Sequence, residues 1–204
     1  MLRAYDVVAA LRDFYGAQRI VTTDPWEMIL LENVAYLVDD ETREATLKKL
    51  RDEIGLAPKK ILAQSPARIA TVIEGGGMKP MMRAQKVIDC AKLTDQLALD
   101  KKSLRRFPSI GEPYADRILL FNGKQTGVAP DSNALRVLCR LGFAREQKNY
   151  TAMYREAVAA FQARDAQQAH LLLRRHGQEL CKRTRPRCDA CPLRAKCDWY
   201  ARAT

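Results

Sequence analysis

The sequence predicts an all-α protein, on three observations. Apolar residues recur at helical spacing along almost the whole chain, the few breakers fall between those stretches, and no segment alternates apolar with polar residues as a half-buried strand would. The first helix spans 3–15, with Tyr5, Val8, Leu11 and Phe14 along one face. Charges run through its first half, which suits an amphipathic helix and not a signal peptide. Thr23-Asp24-Pro25-Trp26-Glu27 is a helix start, a capping residue followed by proline in the first turn. The segment it opens, WEMILLENVAYLV, is strongly apolar and predicted to be buried. Asp39, Asp40 and Glu41 read as the solvated start of the next helix. Helical patterns follow at 42–54, 58–64, 66–73, 79–93 and 97–106, with Gly75-Gly76-Gly77 as a break and Pro80 at the start of a new helix. Phe107-Pro108-Ser109-Ile110-Gly111 is a tight hairpin between helices, and 113–122 is the helix after it. Stretches 131–141, 148–163 and 165–179 complete the pattern.

With 204 residues and an apolar fraction of 47%, the chain is long enough to bury one or two small cores. No run of apolar residues is long enough to span a bilayer, so a soluble intracellular protein of the cytoplasm or nucleoid is expected. Lys and Arg number 35 against 24 Asp and Glu, a net charge of +11. That excess points to a polyanionic partner, with nucleic acid the default.

Six cysteines are present, and four of them, Cys181, Cys188, Cys191 and Cys197, crowd the C-terminal end in a C-x6-C-x2-C-x5-C pattern. Structural zinc and iron–sulfur clusters both take thiolates at such spacings. Zinc ribbons usually pair two CxxC knuckles, and only one such pair occurs here, so a single cluster wrapped by one loop is favoured. Pro186 and Pro192 stiffen that loop. Lys182, Arg183, Arg185 and Arg187 lie between the first two cysteines, and Arg194 and Lys196 between the last two. Six cations exceed what an anionic cluster needs for charge balance, which marks the loop as a phosphate-binding surface. Cys90 and Cys139 sit among apolar neighbours and read as buried small hydrophobes.

HGQELCKRTRPRCDACPLRAKC closely resembles the cluster loop of the endonuclease III and MutY branch of helix-hairpin-helix DNA glycosylases. The resemblance implies a [4Fe-4S] cluster on the four cysteines, with a structural and DNA-gripping role. It also implies two helical lobes around a DNA-binding cleft. A six-helix barrel lobe containing the hairpin would span 22–133, and residues 1–21 would return to pack with 134–204 in the cluster lobe. LRRFPSIGEPYADRILLF takes the place of the family's hairpin, whose exposed backbone N–H groups bind phosphate through Ser109, Ile110 and Gly111. Ser109 replaces the first glycine of the family pattern, and Glu112 stands where a basic residue is usual. Pro113 occupies the slot of the lysine that forms a Schiff base in bifunctional members, and proline has no amine to offer.

VAPDSNALRV resembles the family's D-x-N-x-x-R-V element and places Asp131 at its essential aspartate. Such a carboxylate stabilises the positive charge that develops on deoxyribose as the N-glycosidic bond breaks. A plain helix cap is the other reading of Asp131, and one side chain can serve as both. DPWEMILLENVAYL aligns with the MutY pattern N-P-Y-x-x-x-L-x-E, so Glu32 matches the acid that protonates a departing purine. An apolar helix is expected to raise its pKa toward neutrality, and a core-edge glutamate paired with an arginine is the alternative. Tyr36 and Leu37 replace the MutY glutamine pair, and Leu37 stands where endonuclease III fills the gap left by a flipped base. An apolar wedge can fill the same gap. Tyr36, Tyr114 and Trp26 are base-pocket candidates, with helix packing the other reading of Tyr114. His170 and His176 are expected to be structural.

The resemblance therefore implies a monofunctional DNA glycosylase of base excision repair, a monomer hydrolysing a flipped base, with a purine favoured. Its partner would be double-stranded DNA carrying a damaged or mispaired base. The chain stops soon after the cluster, without the C-terminal domain by which MutY reads 8-oxoguanine, so that strict specificity is not expected. A damaged-DNA-binding protein without catalysis is the alternative, favoured by Ser109, Glu112 and Pro113. A lyase of endonuclease III type, using another amine, ranks last.

Overall fold

The computed structural model describes residues 2–125 and 127–203, leaving out the two termini, Met1 and Thr204, and Thr126. The chain divides into two compact units, Ile20–Asn122 and Met1–Arg19 with Gly123–Thr204. Among the described residues the secondary structure is helical, apart from one isolated bridge between Tyr36 and Gly77. The division falls near the expected borders at its N-terminal end and eleven residues earlier, at 122/123, at the other. Val128 explains the shift, because it lies in the core of the unit that holds the cysteine loop.

The unit Ile20–Asn122 contains α2 (Pro25–Asn33), α3 (Asp40–Glu53), α4 (Pro58–Leu62), α5 (Pro66–Val72), α6 (Pro80–Lys92), α7 (Lys101–Leu104) and α8 (Glu112–Phe121). Most start on local chemistry. Asp24, Asp39, Ser65 and Asp100 each accept a hydrogen bond from the backbone N–H three residues on, and proline fills the first turn of α2, α4, α5, α6 and α8. Leu30, Val34, Leu50, Ile61, Ile69, Ile73 and Val87 form its core.

Arg83 lies inside this unit. Its Nη1 donates to the carbonyls of Val34 and Ile73, its Nε to Met78, and its Nη2 to Gly77 and Glu74. A planar fork of donors thus ties the end of α2 to the loop before α6. Gly76 and Gly77 permit the approach: a Cβ on either would collide with the backbone of Val34 or Tyr36. The triple glycine, read as a breaker, is therefore also a contact surface.

Two expectations change here. The apolar stretch from Trp26 to Val38 is not buried throughout. Helix α2 ends at Asn33, Tyr36 N–H pairs with Gly76 O at 2.8 Å, and Tyr36 and Leu37 turn outward, 45% and 73% exposed. The helix expected over 97–106 shrinks to α7, because the Ser103 side chain bonds both Gln96 O and Ala98 N–H and bends the chain before it.

The other unit contains α1 (Ala4–Tyr15), α9 (Ser132–Arg140), α10 (Tyr150–Ala160), α11 (Ala166–Glu179) and α12 (Asp198–Ala203). Helix α1 packs through Ala4, Val7 and Leu11, with Tyr5 and Phe14 exposed, so its buried face is rotated from the expected one. Val7 and Leu11 share a core with Leu135, Leu138, Phe161 and Leu172. Helices α9 and α11 approach closely at Gly177, where a Cβ would strike the backbone of Asn133. His170 and His176 are buried, His170 Nδ1 lying 2.7 Å from Ala129 O and His176 Nδ1 3.1 Å from the Tyr15 hydroxyl. Cys90 and Cys139 are buried too, and burial pushes the Cys90 thiol up to about 12 and that of Cys139 to about 11, as inert core cysteines require.

Candidate functional site

The cysteine loop starts where α11 ends. Cys181 N–H bonds back to His176 O, and Arg187 N–H returns to Leu180 O at 2.9 Å, so residues 181–187 form a closed turn. Tight turns at Cys188–Ala190 and Arg194–Lys196 then bring the remaining cysteines round. All four cysteines line one pocket with Val137, Leu141, His176 and Leu193. Among the described residues no three His, Cys, Asp or Glu side chains are grouped as ligands of a single metal ion.

Two arginines one helical turn apart on α9 hold this loop. Arg136 Nε donates to Cys181 O at 2.8 Å and its Nη2 to Gly177 O at 2.7 Å. Arg140 Nη1 donates to Lys182 O at 2.9 Å, approaches Cys181 Sγ at 3.3 Å, and its guanidinium lies over the Trp199 ring. Arg136 was visible as the arginine of the D-x-N-x-x-R-V pattern, whereas nothing local marks Arg140. Lys182, Arg183, Arg185 and Arg187 are exposed, and Arg185 holds a left-handed φ of 52°.

Asp131 caps α9. Its Oδ1 accepts from Asn133 N–H at 3.0 Å and Ala134 N–H at 2.8 Å, while Oδ2 pairs with Arg174 Nη1 of α11. The carboxylate keeps 22% of its surface exposed. Tyr150, at the start of α10, has its phenol pKa raised by burial and by the negative charge of Asp131. Arg174 escaped sequence reasoning, since an arginine in a helix has no signature of its own.

Glu32 sits in the last turn of α2, 30% exposed, with Arg43 Nη1 of α3 at 3.3 Å. The same Nη1 donates to Leu31 O at 3.1 Å, which fixes the guanidinium against the helix end. The pair is the alternative reading of this residue, a core-edge glutamate matched with an arginine.

The hairpin closes through Ile110 N–H to Phe107 O at 3.1 Å and Gly111 N–H to Ser109 O at 3.2 Å. Phe107 and Ile110 point inward, so Ile110 anchors the turn and does not present its side chain outward. Ser109 is exposed with φ of 64°, the conformation for which glycine is the usual residue, and its Oγ accepts from Lys86 Nζ at 3.0 Å. Asn33 Nδ2 donates to Pro108 O at 3.0 Å and ties the hairpin to α2. Gly111 precedes α8, and Pro113 lies in its first turn.

Of the base-pocket candidates, two are engaged in packing. Trp26 Nε1 donates to Leu56 O at 2.7 Å, and the Tyr114 hydroxyl donates to Met28 O at 3.0 Å with Arg117 over its ring. Tyr36 remains accessible, and Leu37 beside it combines a φ of 59° with the exposure noted above. Lys86, Arg43 and Arg174 are the neighbours of site residues that the sequence did not single out.

An all-α chain with this hairpin, an aspartate-capped helix later in the sequence and a four-cysteine loop has the fold of helix-hairpin-helix DNA glycosylases. A trapped endonuclease III–DNA covalent intermediate superimposes with a TM-score of 0.82 at 19% identity, covering 100% of this chain and 99% of that one. A thermostable thymine-DNA glycosylase gives 0.81 at 16% identity, over 98% and 97%. No family model matches the chain. Endonuclease III of Sulfolobus acidocaldarius is 30% identical over 175 residues, 84% of this chain and 71% of that protein, and endonuclease III of Thermotoga maritima is 22% identical over 186 residues, 88% and 85%. The chain belongs to the endonuclease III family.

Proposed function

We propose that this protein is a monofunctional DNA glycosylase of base excision repair, acting as a monomer inside the cell on a damaged or mispaired base, a purine by preference, in double-stranded DNA. The observation that carries the reading is Asp131, a carboxylate held at the head of α9 and still accessible, in a chain whose Pro113 offers no amine for Schiff-base chemistry. A carboxylate so fixed needs no reorganisation to face the cation developing on the sugar, and it can orient the attacking water. Glu32 is assigned to the side of the base. Ser109 and Gly111 of the hairpin, with Lys182, Arg183, Arg185 and Arg187, grip the phosphate backbone. Leu37 supports the wedge assignment, since an exposed leucine in a left-handed conformation is strained and gains nothing from the fold.

The four cysteines fit a [4Fe-4S] cluster. Thiolates distributed around one pocket suit a polynuclear centre better than one tetrahedral zinc, and the cations beside them offset its negative charge. When bound, the cluster pins the loop and supplies no chemistry to the base. Visible absorbance from the purified protein, with iron and inorganic sulfide by analysis, tests this assignment against zinc.

A second reading is a damaged-DNA-binding protein without catalysis. Both candidate carboxylates carry an arginine partner, which favours it. Single-turnover assays on a panel of lesion-bearing duplexes separate the two. Excision abolished by Asp131→Asn supports the enzyme, and tight binding with no excision on any duplex supports the binding protein.

A further inference from the structure

We propose that His176 guards the oxidation state of the four-cysteine centre, through an N–H that it donates to the Cys191 sulfur and that Tyr15 of α1 holds in place. The proposal rests on the [4Fe-4S] assignment and gives a role to two residues at the edge of that site.

The three side chains belong to the same compact unit. His176 lies in the last turn of α11 and is 1% exposed. Its Nε2 is 3.5 Å from Cys191 Sγ, and its Nδ1 is 3.1 Å from the Tyr15 hydroxyl, so both ring nitrogens are engaged. A thiolate bound to iron has no proton to give. The contact with Cys191 is therefore favourable only when Nε2 carries the hydrogen. In a neutral ring Nδ1 is then an acceptor, and the Tyr15 hydroxyl donates to it. Tyr15 thus selects the tautomer and orients the ring, as outer-shell partners do at metal sites.

Tyr15 is itself fixed. It is the last residue of α1, the Arg175 guanidinium lies 4.9 Å from its ring centroid, and Arg175 Nη1 donates to Tyr15 O at 3.4 Å. The tyrosine and histidine rings meet edge to face, 6.0 Å between centroids. A continuous line of contacts therefore runs from the end of the first helix to the third cysteine of the loop.

A hydrogen bond to a cluster sulfur stabilises the form with more negative charge, which is the reduced one. The His176 donor therefore makes the cluster harder to oxidise. Oxidised iron–sulfur clusters shed iron, so the same donor protects the loop that the cluster pins. Arg140 also approaches a ligand sulfur, Cys181 Sγ at 3.3 Å, but it holds Lys182 O as well, and its substitution disturbs the loop directly. His176 and Tyr15 can be altered at the side chain with the backbone bonds of the loop in place, including Cys181 N–H to His176 O.

The test uses the purified holoprotein and three variants: His176→Leu, which has no donor, His176→Gln, which keeps an N–H, and Tyr15→Phe, which loses only the hydroxyl. Voltammetry reads the reduction potential, and loss of visible absorbance under ferricyanide reads the rate of oxidation. His176→Leu is expected to shift the equilibrium about tenfold toward the oxidised form, about 59 mV downward for a one-electron couple, and to bleach faster. Tyr15→Phe shifts in the same direction, and His176→Gln returns toward wild type. If His176→Leu fails to hold a cluster, Tyr15→Phe set against His176→Gln makes the same comparison. Potential and bleaching rate unchanged in His176→Leu and Tyr15→Phe, or a change in His176→Gln as large as in His176→Leu, overturn the proposal and leave the cluster assignment intact. A wild-type protein without visible absorbance overturns the cluster assignment and the proposal with it.

Discussion

Arg174 of α11 closes on the carboxylate of Asp131, which caps α9, so the residue proposed to stabilise the sugar cation is already ion-paired and hydrogen-bonded in this chain. Its two oxygens have separate duties, one structural and one facing a cation. That division makes the structural and chemical roles separable by substitution. Asp131→Asn keeps an oxygen for Asn133 and Ala134 N–H, and asparagine caps about as well as aspartate. It also gives up the charge that pairs with Arg174, both side chains being mostly buried, so we expect a stability loss of about 0.5–3 kcal/mol. Excision should fall roughly 10²-fold or more, as loss of preorganised charge stabilisation does elsewhere. Asp131→Ala loses the cap as well, at about 1 kcal/mol. Urea unfolding beside single-turnover kinetics reads both, and an active Asp131→Asn would remove Asp131 from the chemistry.

Arg83 gives a prediction about architecture. Its fork spans carbonyls of Val34, Ile73, Gly77 and Met78, joining the strained Leu37 turn to the loop before α6. Arg83→Met leaves several of these carbonyls without a donor and should cost about 3 kcal/mol or more. Arg83→Lys should recover little, because one ammonium cannot reproduce a planar five-donor fork. Thermal melts of the two variants test this, and a lysine variant as stable as wild type would show that charge alone suffices.

How much of this was legible in the sequence depends on how far each interaction reaches. Asp24, Asp39 and Asp131 were readable as helix starts because a cap bonds amides two or three residues away. The cysteine pattern was readable because its spacing is the chemistry. Arg43 and Arg174 were not, since each meets its carboxylate across 11 or 43 residues of chain, through helix packing that no local pattern encodes. The same holds for Leu37: the apolar run continued through it, and only the pairing of Tyr36 with Gly76 turns it outward.

Leu37 should therefore show a trade between stability and activity. Its φ of 59° costs a leucine about 1 kcal/mol, which glycine would relieve in part. We expect Leu37→Gly to lie within about 1 kcal/mol of wild type in stability, with none of the loss that follows truncation of a buried leucine. It should nevertheless bind and process lesion duplexes more weakly, because glycine cannot occupy the space vacated by a flipped base. Fluorescence of 2-aminopurine opposite the lesion reports the vacancy directly. Unchanged excision in a stable Leu37→Gly would assign the exposed leucine no part in base flipping.

The cluster loop makes the last prediction, and it concerns salt. Lys182, Arg183, Arg185 and Arg187 are exposed on a loop whose backbone is tied to α9 through Arg136 and Arg140. A cation on a fixed loop that meets a phosphate releases a counterion, so removing it should lower the slope of log affinity against log salt by about 0.9. Arg185→Ala and Arg187→Ala should each weaken binding to lesion and undamaged duplexes alike, without altering which base is preferred. Arg140→Ala acts differently: it loosens the loop itself, through lost bonds to Lys182 O and Arg183 O, and should lower both cluster retention and affinity. Titrations over a range of salt, with visible absorbance recorded on the same samples, distinguish the two behaviours. An unchanged salt slope in the double variant Arg185→Ala/Arg187→Ala would place the DNA backbone elsewhere on the protein.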